Sequence, residues 1–155
     1  MVAAGSAASL NLHTTAAERL RRDGQRYTAN RRALVEVLDD ADRPLTIPEL
    51  LDRKGGLPQS SAYRNLAVLE RAGVVERVVT TDEFARYELA EDLTEHHHHL
   101  ICSGCGEVSD VVVPPAVERR LDEVVADIGT TAGYRIEGHR FDVIGRCAAC
   151  VTAAP

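Results

Sequence analysis

His96-His97-His98-His99-Leu100-Ile101-Cys102-Ser103-Gly104-Cys105 is an unbroken run of metal-ligand chemistry, and a second Cys-x-x-Cys pair, Cys147 and Cys150, follows near the C-terminus. All four cysteines of the chain fall in these two pairs. Two such tight knuckles are the spacing of a tetrahedral four-thiolate zinc site. The interval between them is longer than in a simple zinc ribbon, so the metal ties distant segments together rather than folding one short finger. A redox use of Cys-x-x-Cys needs a thioredoxin-like strand-to-helix setting, which the flanking residues do not provide. The histidine run is internal, whereas an expression tag stands at a terminus.

The histidines add what a structural zinc site does not require. In an extended chain, side chains alternate in direction, so His96 and His98 point one way and His97 and His99 the other. One short run therefore offers ligand pairs to two separate sites. Imidazole and carboxylate suit zinc, iron, manganese or nickel, while thiolates favour zinc and other soft ions. The pattern predicts one closed four-cysteine site and one or two exchangeable nitrogen/oxygen sites.

At 155 residues the chain holds one ordinary domain or two small ones, with the composition of a globular protein. No stretch approaches the roughly 18 apolar residues of a membrane span, and Met1 to Leu12 lacks the basic and apolar regions of a secretory signal. A cytoplasmic setting is expected, where paired cysteines are zinc ligands rather than disulfides. The net charge is −6, but residues 1 to 90 hold 13 basic and 13 acidic side chains against 5 and 11 in residues 91 to 155. A neutral N-terminal half with local basic clusters is compatible with a phosphate backbone, because what counts is the face that carries the charge.

Residues 1 to 13, rich in Ala and Ser, read as a mobile tail. Thr15-Ala16-Ala17-Glu18 and Thr46-Ile47-Pro48-Glu49 both fit the capping box, and Thr28 can cap a helix with Leu34, Val35 and Leu38 at helical spacing. The Thr46 helix carries Ile47, Leu50 and Leu51 and stops at Gly55-Gly56; another, from about Ser60, carries Ala62, Leu66 and Leu69 and ends at Gly73. Its first turn leaves Ser60, Ser61, Tyr63 and Arg64 free. Val74 to Val79 and Phe84 to Leu89 then read as a two-stranded hairpin. This is the order of a winged helix-turn-helix, spanning 14 to 89, although a small helical domain that merely carries a hairpin has the same pattern. Residues 90 to 95 are polar and read as a hinge. Residues 96 to 155 read as a small α+β unit: a strand with the first knuckle, Glu107 to Val113, a helix from Pro114-Pro115 through Ile128, strands around Tyr134 to Glu137 and Arg140 to Ile144, then the second knuckle. A core of that size needs a metal, a partner subunit or both.

Ser61-Ala62-Tyr63-Arg64-Asn65-Leu66, the run from His96 to Cys105 with Gly106 behind it, and Gly138-His139 ahead of Cys147 and Cys150 resemble the ferric uptake regulator (Fur) family of metal-dependent bacterial transcriptional repressors. The likeness covers roughly residues 15 to 150, in the family's order. It implies a homodimer whose winged helices bind a palindromic double-stranded operator and whose C-terminal halves join through their sheets. Tyr63 and Arg64 match the family's recognition-helix pair, and Arg26 and Arg31 its basic positions; an aromatic edge packs on a thymine methyl, and a guanidinium binds guanine or phosphate. By the same resemblance Cys102, Cys105, Cys147 and Cys150 hold structural zinc. Glu88, His97 and His99 match a hinge regulatory site, with Asp110 standing where some members have a further carboxylate ligand and Glu76 as another candidate for that place, and His96, His98, Glu118 and His139 match a second site. The chain has no histidine near Pro44, where the family often supplies a further hinge ligand, and no cysteine just before the histidine run, where zinc-sensing members place one.

The expected function is therefore a dimeric, metal-responsive repressor controlling metal homeostasis, not an enzyme. Hard and borderline ligands favour iron or manganese as the sensed ion, with zinc- and peroxide-sensing members as the alternatives. A zinc hydrolase would need an open metal position and a base in a cleft, and no His-Glu-x-x-His motif exists. A zinc storage protein is the remaining rival, and it would lack operator binding.

Overall fold

Threonine hydroxyls open two of the helices around which the N-terminal unit is built. The computed structural model describes residues 5–80, 82 and 84–153, with side chains from residue 11 onward. It divides into two units, Met1–Glu95 and His96–Pro155. In the first, Thr28 accepts from the Arg31 amide and caps α2 (Ala29–Asp39), which follows α1 (Gly5–Arg22). Thr46 and Glu49 form a reciprocal capping box at the start of α3 (Ile47–Lys54), directly after the short β1 (Leu45–Thr46). After α4 (Gln59–Arg71), strands β2 (Val75–Val78) and β3 (Arg86–Leu89) form the wing, and the antiparallel sheet has the order β1-β3-β2. The expected winged helix-turn-helix is thus the fold of this unit.

Leu34, Val35 and Leu38 of α2, Leu50 of α3 and Ala62, Leu66 and Leu69 of α4 close on Val74, Val75, Tyr87 and Leu89 in one core. Each fully buried leucine contributes about 2 kcal/mol through removal of apolar surface from water.

Three boundaries differ from expectation. The tail expected over residues 1 to 13 is helix from Gly5, with residues 1–4 outside the described residues. Its capping-box residues Thr15 and Glu18 lie inside the continuous α1, because Leu12, Ala16 and Leu20 line one face at four-residue spacing and bury it in the core. Within the hinge, Glu91–Leu93 forms a 3-10 turn, Leu93 packs on the core, and Arg19 donates to both Gly73 O and Asp92. That segment is held on the N-terminal unit, and the division between the units falls after it, between Glu95 and His96.

The C-terminal unit runs β4 (His98–Cys102), β5 (Val108–Val111), α5 (Pro115–Ala132), β6 (Asp142–Gly145) and α6 (Ala148–Thr152). Its sheet has the order β5-β4-β6, with β4 antiparallel to β5 and parallel to β6. The third difference falls here, since Tyr134 to Glu137 is irregular rather than a strand. Ile136 folds back over the end of α5, where a Cβ on Gly129 would stand 2.5 Å from Ile136 Cγ1, and the Tyr134 amide donates to Gly129 O. A segment held against its own helix cannot join a ladder. Among the described residues the buried hydrophobic side chains of this unit are Ile101, Cys102 and Val108, while Val117, Val124 and Ile128 of α5 and Val143 and Ile144 of β6 are exposed. So small a core needs cross-links or a partner.

Candidate metal centres and nucleic-acid interface

The parallel β4–β6 ladder brings the two cysteine knuckles together. Cys102 pairs in register with Gly145, and the Ser103 amide donates to Gly145 O at 2.7 Å. All four sulfurs then lie within 4.8 Å of one another, with Cys105 Sγ and Cys147 Sγ 3.8 Å apart. Four thiolates at about 2.3 Å from one zinc ion have sulfur–sulfur edges of about 3.8 Å, whereas a disulfide needs about 2 Å. The donor set fits a metal.

The surroundings supply the charge logic. Amides of Cys147 and Cys105 bond the Cys102 sulfur and pull its thiol down to about 6, while the neighbouring Cys147, Cys105 and Cys102 thiols push Cys150 up to about 12. Four thiols this close cannot all ionise unless a cation shares the site. Gly104 leaves room for the knuckle, since a Cβ there would meet Cys150 Sγ at 2.8 Å.

A second cluster lies on one side of β4. The first turn of α5 carries Glu118, whose Oε1 is 2.8 Å from His96 Nε2 and whose Oε2 is 2.8 Å from His98 Nε2. His139 Nε2 is 3.4 Å from Glu118 Oε1, is buried, and makes no hydrogen bond. One nitrogen or oxygen from each of His96, His98, Glu118 and His139 falls within 4.8 Å of the others. The hydrogen bond from His98 holds the Glu118 carboxyl below its usual range, with the His96 and His98 charges adding to it. Three imidazoles, one of them with an orphaned buried nitrogen, and one carboxylate fit a divalent ion of borderline hardness. The alternation expected of the histidines is what sends His96 and His98 here.

His97 and His99 point to the opposite side, their ring centroids 5.3 Å apart. Asp110 of β5 stands beside His99 in register, and on the other flank His99 Nδ1 lies 3.3 Å from Asp142 Oδ1 of β6. No spacing in the sequence marks Asp142, because the parallel register that places it there is non-local. Glu88 sits half-buried on β3 of the N-terminal unit, in register with Glu76.

On α4, burial of Ala62, Leu66 and Leu69 turns Tyr63 outward at 53% exposure, with Ser60 and Arg64 exposed and Ser61 half-buried beside them. Tyr63 is thus an exposed aromatic among small and basic side chains on this face of α4. Arg26 is exposed. Arg31 is not free in the same way: it donates to Asn65 Oδ1 at 3.1 Å, to Gln25 Oε1 at 3.2 Å and to Arg26 O. It braces α2 against α4.

A winged helix with such a face, joined to a unit that gathers thiolates and imidazoles, defines a metal-ligating DNA-binding regulator. The model of the ferric uptake regulator family matches residues 22–143. The chain is 30% identical over 139 residues to the peroxide operon regulator of Bacillus subtilis, covering 87% of this chain and 90% of that protein. It is 31% identical over 137 residues to the ferric uptake regulation protein of Campylobacter jejuni, covering 84% and 83%. In fold it matches the ferric uptake regulator of Helicobacter pylori, a structure described as having three functional metal binding sites, with a TM-score of 0.70 and 24% identity over 92% of this chain and 93% of that one. The chain belongs to the ferric uptake regulator family. It is accordingly a transcriptional regulator rather than an enzyme.

Proposed function

We propose that this protein is a homodimeric repressor whose hold on a palindromic double-stranded operator depends on a regulatory divalent ion, Fe2+ or Mn2+, in a cytoplasmic setting. The observation that carries this reading is the split of one histidine run between two ligand groups on opposite sides of β4, next to a closed set of four thiols. A storage protein would need only ligands, and it would have no use for an exposed Tyr63 and Arg64 on a recognition helix.

Cys102, Cys105, Cys147 and Cys150 would hold zinc and supply the cross-link that the small C-terminal core lacks. The regulatory ion would be held by His97, His99 and Asp110, with Glu88 as the acidic ligand that the family's pattern adds; His96, His98, Glu118 and His139 would hold the second ion. When bound, such an ion neutralises carboxylates and fixes imidazoles, and only its preference for one arrangement of the dimer can make it a corepressor. The exposed valines and isoleucines of α5 and β6 support pairing with a second copy. Tyr63, Arg64, Ser60 and Ser61 would read the major groove, Arg26 would contact phosphate, and Arg31 would act through Asn65 by fixing the angle of α4.

Imidazole and carboxylate without a thiolate favour Fe2+ or Mn2+, with Zn2+ the competing ion. The likeness to a peroxide operon regulator supports a second reading within the same family, in which oxidation at the regulatory site releases the operator. The test is metal analysis after gentle purification, then operator binding by apo-protein with each metal added back. Fe2+ or Mn2+ should restore binding; binding that ignores every metal would sink the proposal.

A further inference from the structure

We infer that Asp142 is a positioning residue for His99, holding the imidazole at Nδ1 so that Nε2 is the nitrogen presented to the regulatory ion. His99 pairs in register with Asp110 on β5 and with Asp142 on β6. In-register neighbours share one face of a sheet, so the three side chains form a single row with the imidazole between two carboxylates. Asp142 Oδ1 lies 3.3 Å from His99 Nδ1, and the His99 side chain is only 8% exposed. A buried ring with a carboxylate on one nitrogen is fixed in both tautomer and orientation. The proton stays on Nδ1, the lone pair stays on Nε2, and the ring becomes a better donor.

Asp142 is not itself a ligand of that ion. A group touching Nδ1 stands at the opposite edge of the ring from anything bound at Nε2. The same β4–β6 ladder ends at Cys102 and Gly145, beside the knuckles, so the pairing that sets Asp142 behind His99 is clamped at its far end. Asp142 therefore does for His99 what no residue adjacent in sequence can do.

The inference rests on His99 being a ligand of the regulatory ion, and the test separates the two. Full-length protein that keeps its zinc, in a His139→Ala background that removes the second site, is titrated with Mn2+ against a chelating dye and with Co2+ by absorption. Asp142→Ala should weaken Mn2+ by about 10- to 100-fold. Asp142→Asn should weaken it less, because the amide oxygen still accepts from Nδ1–H. The Co2+ bands should keep the same coordination number in both variants. Unchanged Mn2+ affinity in Asp142→Ala, with the site lost in His99→Ala, overturns the positioning role and leaves the regulatory site standing. A changed coordination number overturns it in favour of direct ligation. If His99→Ala keeps full affinity, the regulatory-site assignment falls and this inference with it. One zinc per chain in every variant guards against misfolding.

Discussion

Cys105 Sγ and Cys147 Sγ lie 3.8 Å apart although 42 residues separate them. Between them run β5, α5 and β6, so a metal bonded to both knuckles closes most of the C-terminal unit into one loop. With so few buried apolar side chains in that unit, metal-binding energy is folding energy. Cys102→Ser or Cys147→Ser should lose one tightly held zinc per chain and with it the dimer. Metal analysis and sedimentation measure both, and a stable, folded dimer of either variant would contradict the four-cysteine assignment.

The two sides of β4 make a second separation. His97→Ala or His99→Ala should abolish metal-dependent operator binding while zinc stays in the four-cysteine site. His96→Ala or His98→Ala should weaken it more mildly, since these face Glu118 and His139 instead. Gel shifts across a metal titration give the ranking, and the reverse order would mean that the two groups exchange roles.

What was legible in the sequence is what local chemistry controls. Thr46 and Glu49 announce a helix start because both partners lie within one turn, and the spacing of Leu34, Val35, Leu38 or Ala62, Leu66, Leu69 reports a buried face directly. The histidine alternation was readable because an extended chain repeats every two residues, and it holds over the whole run although β4 begins only at His98. Leu12, Ala16 and Leu20 carried an equally good signal, masked by the Ala- and Ser-rich composition and by a second capping box that the longer helix overrides. Contacts set by non-local register were not readable. The placement of Asp142 behind His99, the fold-back of Ile136 over Gly129 and the bracing of Asn65 by Arg31 each join segments whose pairing no spacing specifies.

The Thr46 capping box gives a pH signature. Burial pushes the Glu49 carboxyl up, but hydrogen bonds from Arg43 and from the Thr46 amide and hydroxyl outweigh it and hold the group down at about 2, against 4.5 ordinarily. Because the folded-state value is depressed, the stabilisation is complete above 4.5 and is lost as pH falls from there through about 2. Urea unfolding of wild type and Glu49→Gln should therefore differ at pH 6 and converge toward pH 2. A gap that stays constant over that range would show that the carboxylate charge contributes nothing at this cap.

Tyr63 and Arg26 test different links between the fold and DNA. Tyr63 projects from the first turns of α4 at 53% exposure, and its removal leaves the buried Ala62, Leu66 and Leu69 face untouched. Stability should therefore hold while recognition changes. Tyr63→Ala should cost about 1 to 3 kcal/mol against the cognate operator and little against random DNA, as direct base readout requires. Arg26 is exposed ahead of α2, and Arg26→Ala should weaken binding to all sequences alike, lowering the salt dependence by about one counterion. Competition gel shifts at several salt concentrations, with metal-loaded protein, separate the two effects. Full operator affinity and unaltered sequence preference in Tyr63→Ala would remove α4 as the recognition helix, whatever the metal sites prove to hold.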